Sequence, residues 1–230
     1  MTDDDGSDAT RQARLVARVY AGLAPRYLEL FEEVGRYRSV VERFLEKATS
    51  ERSTGLRVLD VGCGPGHLTA TLPASIEVVG LDLSAEMVEL ARRARPAGRY
   101  EVHDFHDPIP VGLGRFDAVL AVGALDFCRD LAAVFTDLSS VLREGGLLLA
   151  SVVDRRDDDD IQCVGRRPIA PDSAPGVDMF LYSEGEVGAA MQGAGLVPER
   201  AVEFSGYKSR AYSRDVRYGL WEARRAGGGA

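Results

Sequence analysis

The hydrophobic pattern changes period part-way along the chain. From Arg11 to Ala48 the apolar residues recur at helical spacing. Leu15, Val19 and Leu23 share one face at steps of four, and Tyr27, Leu30, Phe31 and Val34 continue it. Pro25, which lacks the N–H of a helix interior, divides this stretch into two short helices. A third helix is expected from about Arg36 to Lys47, with Val40, Phe44 and Leu45 inward. Beyond it the apolar residues come in short unbroken runs, the mark of strands buried on both faces. Leu56 to Val61, Glu77 to Asp82, Arg99 to Asp104, Phe116 to Ala121 and Leu147 to Val153 are five such runs. Helical segments separate them. Ser84 caps one that carries Met87, Leu90, Ala91 and Ala94; Asp130 caps another that carries Leu131, Val134, Phe135, Leu138 and Leu142 and ends at Glu144-Gly145-Gly146. His67 to Leu72 also reads as helical. Strands alternating with helices specify a parallel sheet covered on both faces. An irregular stretch, Asp154 to Leu181, holds Pro168, Pro171 and Pro175. Ser183 and Glu186 then form a capping box for a helix to about Met191. The last two strands are expected at Leu196 to Phe204 and Asp215 to Ala223.

The first strand runs into Asp60-Val61-Gly62-Cys63-Gly64-Pro65-Gly66. Glycines at such a turn let the backbone take positive φ and come close to a ligand. A helix N-terminus there adds N–H donors and partial positive charge, suited to a carboxylate or phosphate. Asp82 closes the next strand, 22 residues after Asp60. A carboxylate at that place can accept both hydroxyls of a ribose. A nicotinamide dinucleotide needs G-x-G-x-x-G around its pyrophosphate. Here the third glycine comes one residue early, His67 takes the expected position, and Asp60 adds negative charge where the pyrophosphate would lie. A ligand bearing an amine fits better, and methionine carries both an amine and a carboxylate.

VLDVGCGPGHLT, VVGLDLSAEM, FDAVLAVGALDF and VLREGGLLLASV stand in this order from about Val58 to Val153. They resemble the successive motifs of class I S-adenosylmethionine-dependent methyltransferases. The resemblance implies an α/β, Rossmann-like fold: a seven-stranded, mostly parallel sheet with an antiparallel last strand, helices on both faces and an N-terminal helical lid. It implies S-adenosyl-L-methionine as cofactor. By the same resemblance Gly62, Gly64 and Gly66 shape the loop around the methionine part, and Asp60 lies beneath its amine. Asp82 holds the ribose, Leu83 and Met87 pack on the adenine, Asp104 with Phe105 reads the adenine edge, and Ala121 offers a carbonyl to the amine. Met87 taken alone equally fits ordinary helix core. Tyr20-Ala21-Gly22-Leu23-Ala24-Pro25-Arg26-Tyr27 resembles the Y-D-x-x-A-x-x-Y-D segment that closes over the cofactor in many small-molecule members. Both tyrosines and the alanine match, while Ala21 and Leu28 replace the aspartates. Two core tyrosines seven apart on one helical face would give the same pattern.

Methyl transfer from a sulfonium is an in-line displacement, so the protein must chiefly align the partners and exclude water. A general base is required only when the nucleophile arrives protonated. After the fourth strand many family members carry histidine; this chain has Leu125-Asp126-Phe127. Asp126 reads as a base, as a partner for a substrate amine, or as a solvated acid. His67, His103 and His106 fit structural roles, and Tyr182 is a candidate for the pocket wall. The run Asp157 to Asp160 has no matched ligand on the fourth strand and reads as a solvated loop, not a metal site. No N-P-P-Y or N-P-P-F phrase, a mark of many amino-group methylases of nucleic-acid bases or protein glutamine, follows the fourth strand; Ala121-Val122-Gly123-Ala124 stands there. A small-molecule acceptor in specialised metabolism is therefore expected, at an O, N or C atom. The alternative is a protein that holds S-adenosylmethionine for a non-methylating step such as a cyclisation.

Composition narrows the class further. The chain has 230 residues, is 45% hydrophobic and 28% charged, and carries a net charge of −8. Acidic balance disfavours a nucleic-acid partner. No apolar run approaches the roughly 20 residues of a membrane span, and the acidic start MTDDDGSDAT does not resemble a secretory signal. Cys63, Cys128 and Cys163 lack metal-ligand spacing and read as free thiols of a cytoplasmic protein, a monomer or homodimer. The expected organisation is a disordered leader at 1–11, a helical lid at 12–50, the sheet domain at 51–226 with a lid insert at 154–182, and a disordered tail at 227–230.

Overall fold

The computed structural model describes residues 8–30, 35–52, 55–155, 163–167, 177–209 and 214–227. Its elements in chain order are α1 (Asp8–Leu23), a 3-10 turn (Ala24–Arg26), α2 (Tyr27–Leu30), α3 (Gly35–Ser50), β1 (Arg57–Val61), β2 (Glu77–Asp82), α4 (Ala85–Ala94), β3 (Arg99–Val102), β4 (Phe116–Ala121), α5 (Leu131–Val141), β5 (Leu142–Val153), β6 (Cys163–Arg167), β7 (Val177–Phe180), α6 (Glu184–Gly193), β8 (Leu196–Ser209) and β9 (Arg214–Arg225). Among the described residues the main sheet has seven strands in the order β3-β2-β1-β4-β5-β9-β8. β1 to β5 pair in parallel, whereas β9 runs antiparallel to both β5 and β8. This is the expected architecture, with the last strand as the antiparallel one.

Both faces of the sheet are covered, which explains why its strands lack polar alternation. Leu59, Val119 and Leu148 point to the face packed by Phe135 and Leu138 of α5 and by Val187 and Met191 of α6. Val58, Leu120 and Leu149 point to the opposite face, against Phe44 and Leu45 of α3 and Val88 and Ala91 of α4. A third apolar cluster joins Val16 and Val19 of α1 to Phe127, Val177, Met179, Leu181 and Tyr218. It seats the N-terminal helix over the end of the sheet where β1, β4 and β5 finish. The caps sit where the sequence puts them. The Ser84 hydroxyl accepts from the Met87 N–H at 3.3 Å, Asp130 accepts from Ala133 N–H at 3.0 Å, and Ser183 with Glu186 forms a complete capping box.

Several expectations are corrected. His67 to Leu72 forms turns, not a helix: the Thr69 and Ala70 N–H groups both donate to the Gly66 carbonyl, and Leu72 N–H donates to Thr69. A segment of this length, stopped by Pro73 and with the Thr69 hydroxyl also directed at Gly66, is too short to propagate a helix. α5 ends at Val141, and Leu142 already pairs with Phe116, so β5 starts ahead of the glycine pair, with an irregular register between Phe116 and Ala118. Part of the insert is ordered as an antiparallel β6–β7 ribbon in place of irregular chain. β8 and β9 extend beyond both expected strands. α1 starts at Asp8, inside the stretch read as leader; residues 1–7, 228–230 and Asp157 to Asp160 lie outside the described residues. No helix among the described residues is long and apolar enough to cross a membrane.

Candidate functional site

The strand order reverses between β1 and β4, one leading to β2 and β3 and the other to β5. Loops leaving the carboxyl ends of two such strands diverge and leave a crevice. The chain exploits it with a glycine loop. Gly62 has φ of 68°, and a Cβ there would lie 2.2 Å from the Ala124 Cβ, so only glycine lets the loop after β1 press against the loop after β4. The Gly62 and Cys63 N–H groups both donate to the Leu81 carbonyl, at 2.7 and 3.0 Å, which ties the loop to the end of β2. Asp82 follows directly. Its Oδ2 accepts from Gly64 N–H and its Oδ1 from Ser84 N–H, each at 2.8 Å. The carboxylate thus bridges two loops and retains lone pairs for further donors. Burial lifts its pKa above the ordinary carboxyl value, and the two backbone donors work against that rise.

Asp60 lies beneath the loop, 1% exposed, with the Thr69 hydroxyl donating at 3.4 Å. Burial first, and the charge of Asp82 second, push its pKa up to about 7. Above the loop opens a cleft. Gly62, Gly64, Asp82, Leu83 and Ser84 form one wall; Val122, Gly123, Ala124 and Phe127 form the other; His103 and Phe105 close the edge. Val16, Ala17, Tyr20 and Tyr27 form the roof, and His67 completes the lining. The Gly123 N–H donates to the Ser151 hydroxyl at 2.7 Å, which fixes the second wall to β5. The roof is a row of rings: Tyr27 lies 6.0 Å from His67 and 6.2 Å from Tyr20, and Tyr20 meets Phe127 edge-on at 5.9 Å. The Tyr27 phenol is held well above its usual pKa by burial, then by the charges of Asp82 and Asp126. Burial and the nearby Arg38 charge push His67 down to about 4, so its imidazole is neutral.

Residues 58–146 match a family model described as a methyltransferase domain. Over that stretch, from β1 into β5, the chain is similar to methyltransferase domains. It is 34% identical over 134 residues to malonyl-acyl-carrier-protein O-methyltransferase of Enterobacter lignolyticus strain SCF1, a match covering 58% of this chain and 51% of that protein. It is 35% identical over 106 residues to ubiquinone biosynthesis O-methyltransferase of Xanthomonas axonopodis pv. citri, covering 44% of each. The chain thus spans about half the length of the curated relatives it matches. A solved S-adenosylmethionine-dependent methyltransferase from Clostridium acetobutylicum shares the fold, with a TM-score of 0.66 at 16% identity, over 88% of this chain and 99% of that one.

Of the expected site residues, Tyr20, Tyr27, Gly62, Gly64, Asp82, Leu83 and Phe105 meet at the cleft. Others of the expected site residues do not line it. Asp60 lies under the loop, and Gly66 packs toward Ala91 of α4, 3.1 Å from a Cβ built on the glycine. Met87 and Ala121 are fully buried. Asp104 turns toward His106, whose N–H and ring nitrogen lie 3.0 and 2.8 Å from its Oδ1. Burial opposes the Asp104 charge, but the His106 contacts prevail and hold the carboxyl below its usual value. Asp126 sits in a 3-10 turn, Leu125–Phe127, 5% exposed, with the Tyr218 hydroxyl donating to its Oδ2 at 2.7 Å. The solvated-acid reading of Asp126 is therefore corrected: the turn after β4 folds its side chain inward. Tyr182 donates to the Cys128 carbonyl at 2.7 Å and lies outside the cleft lining. Sequence reasoning missed Phe127 and the Val122–Ala124 wall as site residues, although the wall follows directly from the end of β4. Among the described residues no cluster of three His, Cys, Asp or Glu could hold a metal ion.

Proposed function

We propose that the chain binds S-adenosyl-L-methionine in this cleft and moves its methyl group by in-line displacement to an O, N or C atom of a small molecule, in specialised metabolism. The observation that carries the reading is Asp82, a carboxylate braced by Gly64 and Ser84 N–H groups at the mouth of a glycine loop. The residues fit the cofactor. Asp82 has lone pairs left for two ribose hydroxyls, Leu83 and Phe105 offer apolar surface to a base, and Asp60 supplies negative charge below an amine. Bound cofactor supplies an electrophilic methyl on a sulfur that leaves as a neutral thioether. The protein's own part is to align the acceptor and keep out water, which suits the ring-lined roof of Tyr20 and Tyr27. A cleft roofed by α1 favours a small acceptor over a macromolecule, and the relatives' names, malonyl-acyl-carrier-protein and ubiquinone O-methyltransferases, are compatible with acceptors of that size or carrier-borne acyl groups. We further propose a cytoplasmic protein, monomeric or homodimeric.

The test is to incubate the full chain with S-adenosylmethionine and a small-molecule acceptor library. S-adenosylhomocysteine and methylated product should appear together in equal amounts, as followed by mass spectrometry. A product formed without S-adenosylhomocysteine would favour the cyclisation reading and end this one.

A further inference from the structure

A second cavity, which shares no lining residue with the cleft, opens between α6 and the strands β5, β9 and β8. Gly219 of β9 lies in its floor, paired with Val152 of β5 on one side and Glu203 of β8 on the other. Two residues further on, Trp221 leans back over the space that Gly219 leaves. A Cβ built on the glycine would stand 2.7 Å from the indole nitrogen. Trp221 is 8% exposed and lines the cavity. Its indole N–H makes no hydrogen bond among the described residues and stays open to the cavity. Three carboxylates stand around it: Asp154, directly after β5, Glu184, the first residue of α6, and Glu203. Those of Glu184 and Glu203 enter no ion pair or hydrogen bond among the described residues. Neither lysine nor arginine occurs among the described residues of the lining, where Val187 and the Tyr182 ring add apolar surface.

We propose that this cavity is a second small-molecule site, and that its ligand is an organic ammonium ion that also carries an oxygen acceptor, as an amino alcohol does. Each part of that ligand answers a group in the lining. The ammonium meets acids with no base among them, where positive charge is attracted and an anion is repelled. The rings of Trp221 and Tyr182 attract a cation as well. An indole N–H only donates and an ionised carboxylate only accepts, so the pair selects a ligand that offers both an acceptor and donors. An ammonium ion without an oxygen leaves the indole N–H unsatisfied, and a buried donor left so is costly. A metal ion fits less well still, because among the described residues no three of His, Cys, Asp or Glu converge closely enough to hold one. The apolar lining receives the carbon skeleton. Gly219 sets the position of the donor, since any side chain there would displace the indole edge from the floor.

The chain has one tryptophan, so a single indole N–H cross-peak in its nitrogen–proton NMR spectrum reports on this cavity. The full chain is titrated with phenylethanolamine and with three matched probes: phenethylamine, which lacks the oxygen, styrene glycol, which is neutral, and mandelic acid, which is an anion. Phenylethanolamine should move the cross-peak along a saturable one-site curve. It should bind at least about tenfold more tightly than the glycol and the acid, the combined scale of two part-exposed charge pairs and a cation–π contact. Its lead over phenethylamine should be about threefold, the scale of one neutral hydrogen bond. Glu184→Gln combined with Glu203→Gln changes two exposed side chains and should remove most of the first margin. Gly219→Ala should narrow the second. Saturating S-adenosylhomocysteine should leave both margins unchanged. A cross-peak that does not move, equal or tighter binding of any other probe, or a first margin that survives the double substitution overturns the inference. Competition by S-adenosylhomocysteine would put phenylethanolamine in the cleft and overturns it too.

Discussion

Asp60 is a carboxyl group kept almost dry under the glycine loop, and burial with the Asp82 charge pushes its pKa up to about 7 from 3.8. In the unfolded chain the group ionises near its ordinary value. Between about pH 4 and about pH 7 the folded chain therefore holds a proton that the unfolded chain has released. The sign follows: this contribution to stability is fully present below pH 3.8 and is lost as pH rises through about 7. Asp60→Asn, which cannot ionise, should lack this fall. Urea denaturation of both proteins across the window should show the natural chain losing stability relative to the variant as pH rises, then a constant difference. Parallel curves would contradict the burial of Asp60. An amine placed above the loop favours the ionised form, so cofactor binding below pH 7 should also release a proton, detectable by calorimetry in buffers of different ionisation heat. Asp60 and Asp82 were legible in the sequence because each stands at a fixed offset from the glycine loop between β1 and β2. The Asp126–Tyr218 pair was not, because its members lie 92 residues apart and only the β5–β9 pairing brings them together.

At the scale of elements, two contacts decide whether the cleft keeps its shape. The loop after β1 meets the loop after β4 through the missing side chain of Gly62. Gly62→Ala forces an L-residue to φ of 68° and drives a methyl into Ala124. It should cost more than about 1 kcal/mol of stability by equilibrium denaturation, and S-adenosylhomocysteine affinity should fall with it; a neutral effect on both would mean the loops do not meet as described. The second contact binds the roof. The Gln12 side chain of α1, 8% exposed, donates to the Asp178 carbonyl at 2.7 Å and accepts from the Asp178 N–H at 3.3 Å. This pairing uses a side-chain amide as a strand would use its backbone, and it joins α1 to the β6–β7 ribbon. Gln12→Ala should raise hydrogen exchange in α1 and β7 together while the parallel strands stay protected; loosening of α1 alone would show that the two segments are independent. The helical leader was legible from its period, but the clamp was not, since a lone glutamine on a helix carries no sign of its partner. The turns at His67 to Leu72 were misread for a related reason: apolar spacing over six residues cannot tell a helix from successive turns when Pro73 stops the chain.

Across the whole molecule, the sheet topology makes the site and the appended pieces define it. Reversal of strand order at β1 and β4 leaves a crevice, the loops after β1 to β4 supply its walls, and α1, itself packed on the ribbon of the insert, covers it. The parallel half was legible because fully buried strands leave continuous apolar runs and the loops that follow them carry glycine and aspartate. The cover was less so, because its contacts join chain segments more than a hundred residues apart. The central claim is that the cleft at the strand-order reversal holds S-adenosylmethionine through Asp82. Calorimetric titration of S-adenosylhomocysteine into the full chain and into Asp82→Ala tests it most directly. One site per chain is expected, weakened in the variant by about 1–3 kcal/mol, or roughly 5- to 150-fold, for the lost charge-assisted hydrogen bonds. Unchanged affinity in Asp82→Ala, or no binding to the unaltered chain, would contradict it.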